Sequence, residues 1–160
     1  MTYPTTRLRR LRANETLRRM VRESRLAVED LIYPVFVVHG RGVRKAVEAM
    51  PGIYNFSVDT LLEELVEAKT LGIAAVIIFG LPQRKDEAAS EAYDDEGIVQ
   101  CALRAVKKEL PELLLITDVC LCEYTSHGHC GIVKDGRILN DPTLELLART
   151  ALSHVRAGAD

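Results

Sequence analysis

The chain has 160 residues, 48% of them hydrophobic and 28% charged, with a formal net charge of −2. That length fits one domain, able to hide roughly 70% of its unfolded surface. No apolar run approaches the roughly 18 residues of a membrane span, and no secretory h-region stands near the start, so neither a membrane protein nor a secreted one is expected. Four cysteines without a secretion signal point to a reducing, cytoplasmic setting, where clustered thiols are metal ligands more often than disulfides.

The small net charge conceals an asymmetry. Arg7, Arg9, Arg10, Arg12, Arg18, Arg19, Arg22 and Arg25 crowd the start, against Glu15 and Glu23. Residues 1–30 therefore read as an arm, irregular to residue 13 and then a short basic helix from Glu15 to Glu23. Such an arm is either a solvated tail or a binder of acidic surfaces, membranes or import receptors. Nucleic acid is disfavoured, because Tyr3 is the one aromatic residue among these arginines.

From residue 31 the pattern becomes that of a globular domain, 31–160. Leu31 to Val38 is apolar and β-branched and predicts a first strand, with Pro34 near its start or at a sheet edge. Residues 39–56 carry turn signals and read as loop. Ser57 is a helix N-cap candidate, followed by an apolar stripe of Leu61, Leu62, Leu65, Val66 and Leu71, with Gly72 as the stop. Ile73 to Phe79 predicts a second strand, broken by Gly80-Leu81-Pro82 and covered on both faces. Residues 83–97 form a long polar loop, either functional or merely solvated.

Ile98, Val99, Ala102, Leu103, Val106 and Leu110 define the next helix, on which Cys101 reads as an inert packed thiol. Leu113 to about Val119 predicts the third strand. Ile132 to Leu139 has the form of a hairpin, with Asp135-Gly136 at its turn. Asp141-Pro142 opens a last helix whose inner face is expected to be Leu144, Leu147, Ala148, Ala151, Leu152 and Val155, ending at Gly158. Ala159-Asp160 reads as the lead-in to a fourth strand. The order is β-α-β-α-β-α, at roughly 40 residues per unit, so a closed eight-unit barrel would need on the order of 300. The chain reads as the front part of such an α/β barrel, about three βα units plus a β-hairpin. A small doubly wound fold is the competing arrangement, but it needs about five strands.

The stretch from Asp118 to Gly131 holds Cys120, Cys122 and Cys130, with His127, His129 and Asp118, at the end of the third strand. Strand C-termini carry the active sites of α/β barrels. Cys120 and Cys122 lie two apart, so an extended backbone points both sulfurs to one side. Gly128 and Gly131 let Cys130 fold back toward them. Three soft thiolates suit zinc, copper(I) or iron–sulfur chemistry. A histidine as fourth ligand would close a structural zinc site, whereas three cysteines alone leave a catalytic site one open position. His127 and His129 fit a loop-fixing role better than direct ligation. Tyr124 reads as packing or hydrogen-bonding, Lys134 and Arg137 as solvated, and Asp118 as either a loop anchor or an active-site acid.

The run from Asp118 to Gly131, DVCLCEYTSHGHCG, closely resembles the zinc signature of the porphobilinogen synthase, or delta-aminolevulinic acid dehydratase, family. Leu31 to Val37, Met50 to Tyr54, Phe79 to Pro82, Glu91 to Gly97 and Asn140 to Thr143 are similar to that family in the same order. The resemblance implies a TIM barrel in a homo-oligomer, octamer-like, built through the N-terminal arm. It implies condensation of two 5-aminolevulinate molecules to porphobilinogen in tetrapyrrole synthesis. It implies that Cys120, Cys122 and Cys130 hold a catalytic zinc acting as Lewis acid on the second substrate, with Asp118 catalytic beside them.

In that family two lysines from later strands form Schiff bases with substrate, and no lysine of these 160 residues matches them. The alternatives are a non-catalytic zinc-binding module, or an interaction fragment docking on intact synthase subunits. A half barrel would also expose strand edges and apolar surface. Because the nucleophilic amines of this chemistry are missing, the 160-residue polypeptide alone should give no borohydride-trapped adduct with 5-aminolevulinate. A covalent adduct with turnover would contradict this.

Overall fold

The computed structural model describes residues 9–160, so Tyr3 and Arg7 of the arm lie outside the described residues. The described arm has a 3₁₀ turn at Arg10–Arg12 and the helix α1 at Glu15–Met20, shorter than its basic stretch. Asn14 caps α1 by accepting from the Leu17 N–H at 2.9 Å.

A five-stranded sheet in the order β2-β3-β1-β4-β5 forms the body. Its strands are β1 (Ile32–Val38), β2 (Arg44–Ala46), β3 (Tyr54–Phe56), β4 (Ala75–Leu81) and β5 (Leu114–Thr117). β1 lies parallel to both β3 and β4, and β4 parallel to β5, while β2 pairs antiparallel with β3. The loop expected over 39–56 thus contains two strands. At three residues each, they are too short to show a period in the sequence. Pro34 is third in an internal strand, but β3 pairs with β1 only from Phe36 onward. The missing N–H therefore has no β3 partner to disappoint.

The crossover helices are α2 (Val58–Thr70) and α3 (Ile98–Glu109), with α4 (Asn140–Ala157) following the hairpin β6 (Ile132–Lys134) and β7 (Arg137–Leu139). Asp135 and Gly136 both have positive φ, as a two-residue type I′ turn requires. Ser57 has N-cap backbone geometry, yet its hydroxyl accepts from Val43 N–H instead of capping. The helix-side core joins Val35, Val37, Val76, Ile78 and Leu115 of the strands to Leu61, Leu65, Ala102, Leu103 and Val106. Each valine, isoleucine or leucine among them contributes about 1.5–3 kcal/mol on burial. The opposite sheet face is more open: Ile32 and Leu114 are exposed, and Phe36 stacks on Phe79 at 5.4 Å. Asp160 docks beside β5, its N–H donating to Leu115 O at 3.0 Å and its carboxylate accepting from Leu115 N–H at 2.9 Å.

The predicted face of α3 is the buried one, but two other helix faces differ from expectation. On α2, Val66 and Leu71 point outward and Ala68 takes their place inside. On α4 the inner face is Thr143, Leu146, Thr150, Ser153, His154 and Ala157, while Leu144, Leu152 and Val155 are exposed. The cause is a buried polar network. Gln100 donates to Ala92 O at 2.9 Å and to Ser153 Oγ at 2.8 Å, and His154 Nδ1 lies 3.0 Å from Thr117 Oγ1. Burial lowers the His154 pKa, against the pull of the Ala92 carbonyl and Asp118. α4 also begins at Asn140, a residue ahead of the expected Asp141 cap.

β4 runs through Gly80, where a break was expected, because the residue faces the helix side in register with Val37. A Cβ there would come within 2.4 Å of Tyr124 Oη and 2.5 Å of Val99 Cγ2, both held in the core. Gly80→Ala should therefore cost about 1–3 kcal/mol through overpacking. Urea unfolding checks this, and an unchanged midpoint would contradict it.

Candidate metal centre

The cysteine loop leaves β5 at the C-terminal edge of the parallel strands. Its anchor is Leu121, fully buried with Tyr124 in a second apolar cluster that includes Ala89, Ala92 and Leu146. Leu121 O accepts from both Tyr124 N–H and Thr125 N–H at 2.9 Å, so the segment is a turn. The extended backbone expected between Cys120 and Cys122 is thus replaced by a turn, which brings the same two sulfurs together. The polar loop 83–97 is tied to it. Asp86 forms a parallel bridge with Thr125, its N–H donating to Tyr124 O at 3.2 Å and its O accepting from Ser126 N–H at 3.0 Å. Farther along, Thr125 Oγ1 donates to His129 O at 2.8 Å, and Gly128 takes φ +74°. The loop ends at Gly131, packed so closely on Thr143 and Ile138 that a Cβ would fall within 2.6 Å of Thr143 Oγ1.

These constraints bring three sulfurs together. Cys120 Sγ lies 3.3 Å from Cys122 Sγ and 3.1 Å from Cys130 Sγ, and all three fall within 4.8 Å of one another. A tetrahedral ion with metal–sulfur bonds of about 2.3 Å separates its sulfurs by about 3.8 Å. The spacings from Cys120 need lengthen by only about 0.5–0.7 Å to hold one. The group can hold a metal ion, with Cys120 and Cys122 half-buried and Cys130 exposed toward solvent.

Electrostatics favours a cation here. Two thiolates 3.3 Å apart repel by roughly 5 kcal/mol at an effective dielectric near 20. Burial opposes ionisation of Cys120, but the Cys122 N–H and the Cys130 and Cys122 thiols outweigh it and hold its pKa below the ordinary value. Cys122 is pushed up to about 12, first by its hydrogen bond to Cys120 and then by burial. Cys130 is raised too, chiefly through Cys120. Of the three thiols, Cys120 is thus the readiest to ionise.

Asp118 follows β5, its N–H donating to Ile78 O at 3.2 Å; its charge opposes the lowering of the Cys120 pKa and adds a little to the raising of Tyr124, which burial dominates. His127 Nδ1 accepts from His129 N–H at 3.1 Å, a loop-fixing contact, and neither histidine joins the sulfur group. Cys101 stands apart on α3, half-buried instead of packed, with Sγ 3.5 Å from Glu96 O. Lys134 and Arg137 are exposed.

Two residues at this edge escaped the sequence reading. His39, at the end of β1, pairs with Glu91 at 2.6 Å, and Glu91 also accepts from Gln83 N–H at 3.2 Å. The pair ties the end of β1 to the Ser90–Tyr93 turn. The position of His39 just past a parallel strand was the available signal.

A parallel β/α sheet whose strand ends carry three thiols able to hold a metal ion defines a barrel-type α/β protein. The family profile described as "Delta-aminolevulinic acid dehydratase" matches residues 5–160, and the chain belongs to this family. The delta-aminolevulinic acid dehydratase of Synechocystis sp. is 56% identical over 162 residues, covering 99% of this chain and 50% of its own. That of Bacillus subtilis is 52% identical over 160 residues, covering 100% and 49%. The chain thus spans about half the length of these relatives. The crystal structure of Toxoplasma gondii porphobilinogen synthase, in complex with the product porphobilinogen, superposes with a TM-score of 0.91 at 38% identity. It is matched over 97% of this chain and 45% of its own, so the α/β fold of this chain corresponds to part of a TIM barrel.

Because Cys122 and Cys130 stay protonated near neutral pH, an arriving ion must displace at least two protons. Apparent affinity should then rise about a hundredfold per pH unit between pH 6.5 and 8. Chelator competition across that range checks the slope, and a pH-independent affinity would contradict it.

Proposed function

We propose that this chain is the metal-bearing part of a porphobilinogen synthase, which condenses two 5-aminolevulinate molecules in tetrapyrrole synthesis. The observation that carries the reading is the convergence of Cys120, Cys122 and Cys130 at the C-terminal edge of the parallel strands. Family membership over residues 5–160 supports the substrate class. Residues 31–160 would form the barrel part and residues 1–30 an arm for homo-oligomer assembly, in the cytoplasm. No helix of the described residues is long and apolar enough to cross a membrane.

The donor set fits zinc: three soft thiolates, with a fourth position left open. When bound, zinc supplies Lewis acidity toward a substrate carbonyl or amine. The chain's own part is to hold the ligands in register. Leu121 keeps Cys120 and Cys122 on one turn, and the Gly131–Thr143 contact fixes the segment carrying Cys130. Asp118 supplies a carboxylate whose charge is felt by Cys120. It can orient a substrate amine or accept a proton from it.

Residues 1–160 fused to the remaining barrel of the Bacillus subtilis relative provide the test. The fusion should form porphobilinogen and bind one zinc per chain. Cys130→Ala and Asp118→Asn should each lower kcat by about a hundredfold or more, since such charge and Lewis-acid effects are worth several kcal/mol. A Cys130→Ala fusion with undiminished kcat would contradict the assignment.

A further inference from the structure

The inner face of α4 is polar, and one of its most buried members has no part in the chemistry described so far. His154 is 1% exposed, between α4 and the end of β5. Its Nδ1 lies 3.0 Å from Thr117 Oγ1. Its Nε2 is buried and closes no hydrogen bond. Burying an imidazole with one nitrogen unpartnered costs stability that an apolar side chain of the same size would not. Packing alone therefore does not call for histidine at this position.

The backbone that carries this ring is fixed from several sides. Ser153 Oγ accepts from Gln100 Nε2 at 2.8 Å and donates to Thr150 O at 2.9 Å, and Gln100 also donates to Ala92 O at 2.9 Å. The His154 carbonyl accepts from Gly158 N–H at 3.1 Å and from Ala159 N–H at 3.0 Å. α3, the loop before it and the end of α4 thus hold the imidazole in place. A polar group on so firm a base fixes the direction of whatever it bonds.

What it bonds is the last residue of β5, directly before Asp118. Thr117 pairs with Ile78 of the helix-side core, and Asp118 N–H continues that ladder to Ile78 O at 3.2 Å. Side chains alternate along an extended strand, so with Thr117 turned to the helices Asp118 follows on the opposite face. Among the described residues the Asp118 carboxylate has no hydrogen-bond partner, so the main chain sets its direction. Rotation of the strand end about its own axis would swing that carboxylate, and the Thr117–His154 contact opposes the rotation. The charge of Asp118 is felt at the imidazole, so the two groups share one electrostatic neighbourhood.

We propose that His154 is a positioning residue: through Thr117 it fixes the end of β5 and so aims the Asp118 carboxylate. The proposal rests on the reading of Asp118 as the active-site carboxylate and adds what holds it. His154 is no member of the sulfur group, so metal binding does not run through it. A misplacement of about 1 Å in a reacting group can lower a rate about a hundredfold, which makes loss of the contact visible in turnover.

The fusion of residues 1–160 to the remaining barrel of the Bacillus subtilis relative carries the test, read by kcat, KM for 5-aminolevulinate, bound zinc and the urea midpoint. His154→Phe fills the same space without the Nδ1 contact, and Thr117→Val removes its partner. Each should lower kcat by about tenfold or more, with KM and zinc per chain unchanged. His154→Asn, whose amide stands where Nδ1 stood, should keep kcat within about threefold of wild type. In an Asp118→Asn background neither His154→Phe nor Thr117→Val should lower kcat further, because residues acting through one group are not additive. An equal fall in that background gives the network a structural role and overturns the proposal. So does an undiminished kcat in His154→Phe, or a loss of zinc or of the folded state in both variants; where one of the two fails to fold, the other decides. A wild-type fusion without activity, or an Asp118→Asn fusion with full activity, overturns the reading of the site and the proposal with it. The other outcomes leave that reading standing.

Discussion

The burial of Leu121 is the contact on which the candidate site depends. The residue stands between two cysteines, and its removal from water turns both of them outward on one tight turn. A fully buried leucine contributes about 1.5–3 kcal/mol. That is less than the roughly 5 kcal/mol by which two neighbouring thiolates would repel, so the three sulfurs cannot all ionise together on this packing alone. The three sulfurs are thus brought together by apolar packing beneath them, in a group that can hold a metal ion.

The support under Leu121 comes from distant parts of the chain. Ala89 and Ala92 belong to the loop after β4, Leu146 to α4, and Tyr124 fills the space that Gly80 leaves open. The Asp86–Thr125 bridge clamps the same two loops together from above. Beneath the cluster, Gln100, Ser153, Thr150 and His154 form a polar layer that joins α3, α4 and β5. Buried hydrogen bonds of this kind are costly to leave unmade, which makes the layer a positional device more than a source of net stability. Movement of α4 would pass through Thr143 and Thr117 to both ends of the metal loop.

Where burial is apolar and regular, the sequence could be read directly. The stripe on α3, the parallel strands and the hairpin with its Asp135-Gly136 turn all follow local rules. The three cysteines were legible because soft ligands at short spacing have few other uses. α4 was misread because its inner face is polar, and polar residues reach the interior only through partners far away in sequence, such as Gln100. Val66 and Leu71 on α2 were misplaced for a related reason: an apolar residue marks a surface to be covered, but not what covers it. His39 and Glu91 lie 52 positions apart, and nothing local announces their pairing.

The central claim is that three thiolates and no histidine hold the metal. X-ray absorption spectroscopy on the zinc-loaded chain tests it most directly. The account predicts three sulfur neighbours at about 2.3 Å and one lighter oxygen or nitrogen neighbour without imidazole scattering. A first shell with two or fewer sulfurs, or with the multiple-scattering signature of a bound histidine, would contradict it.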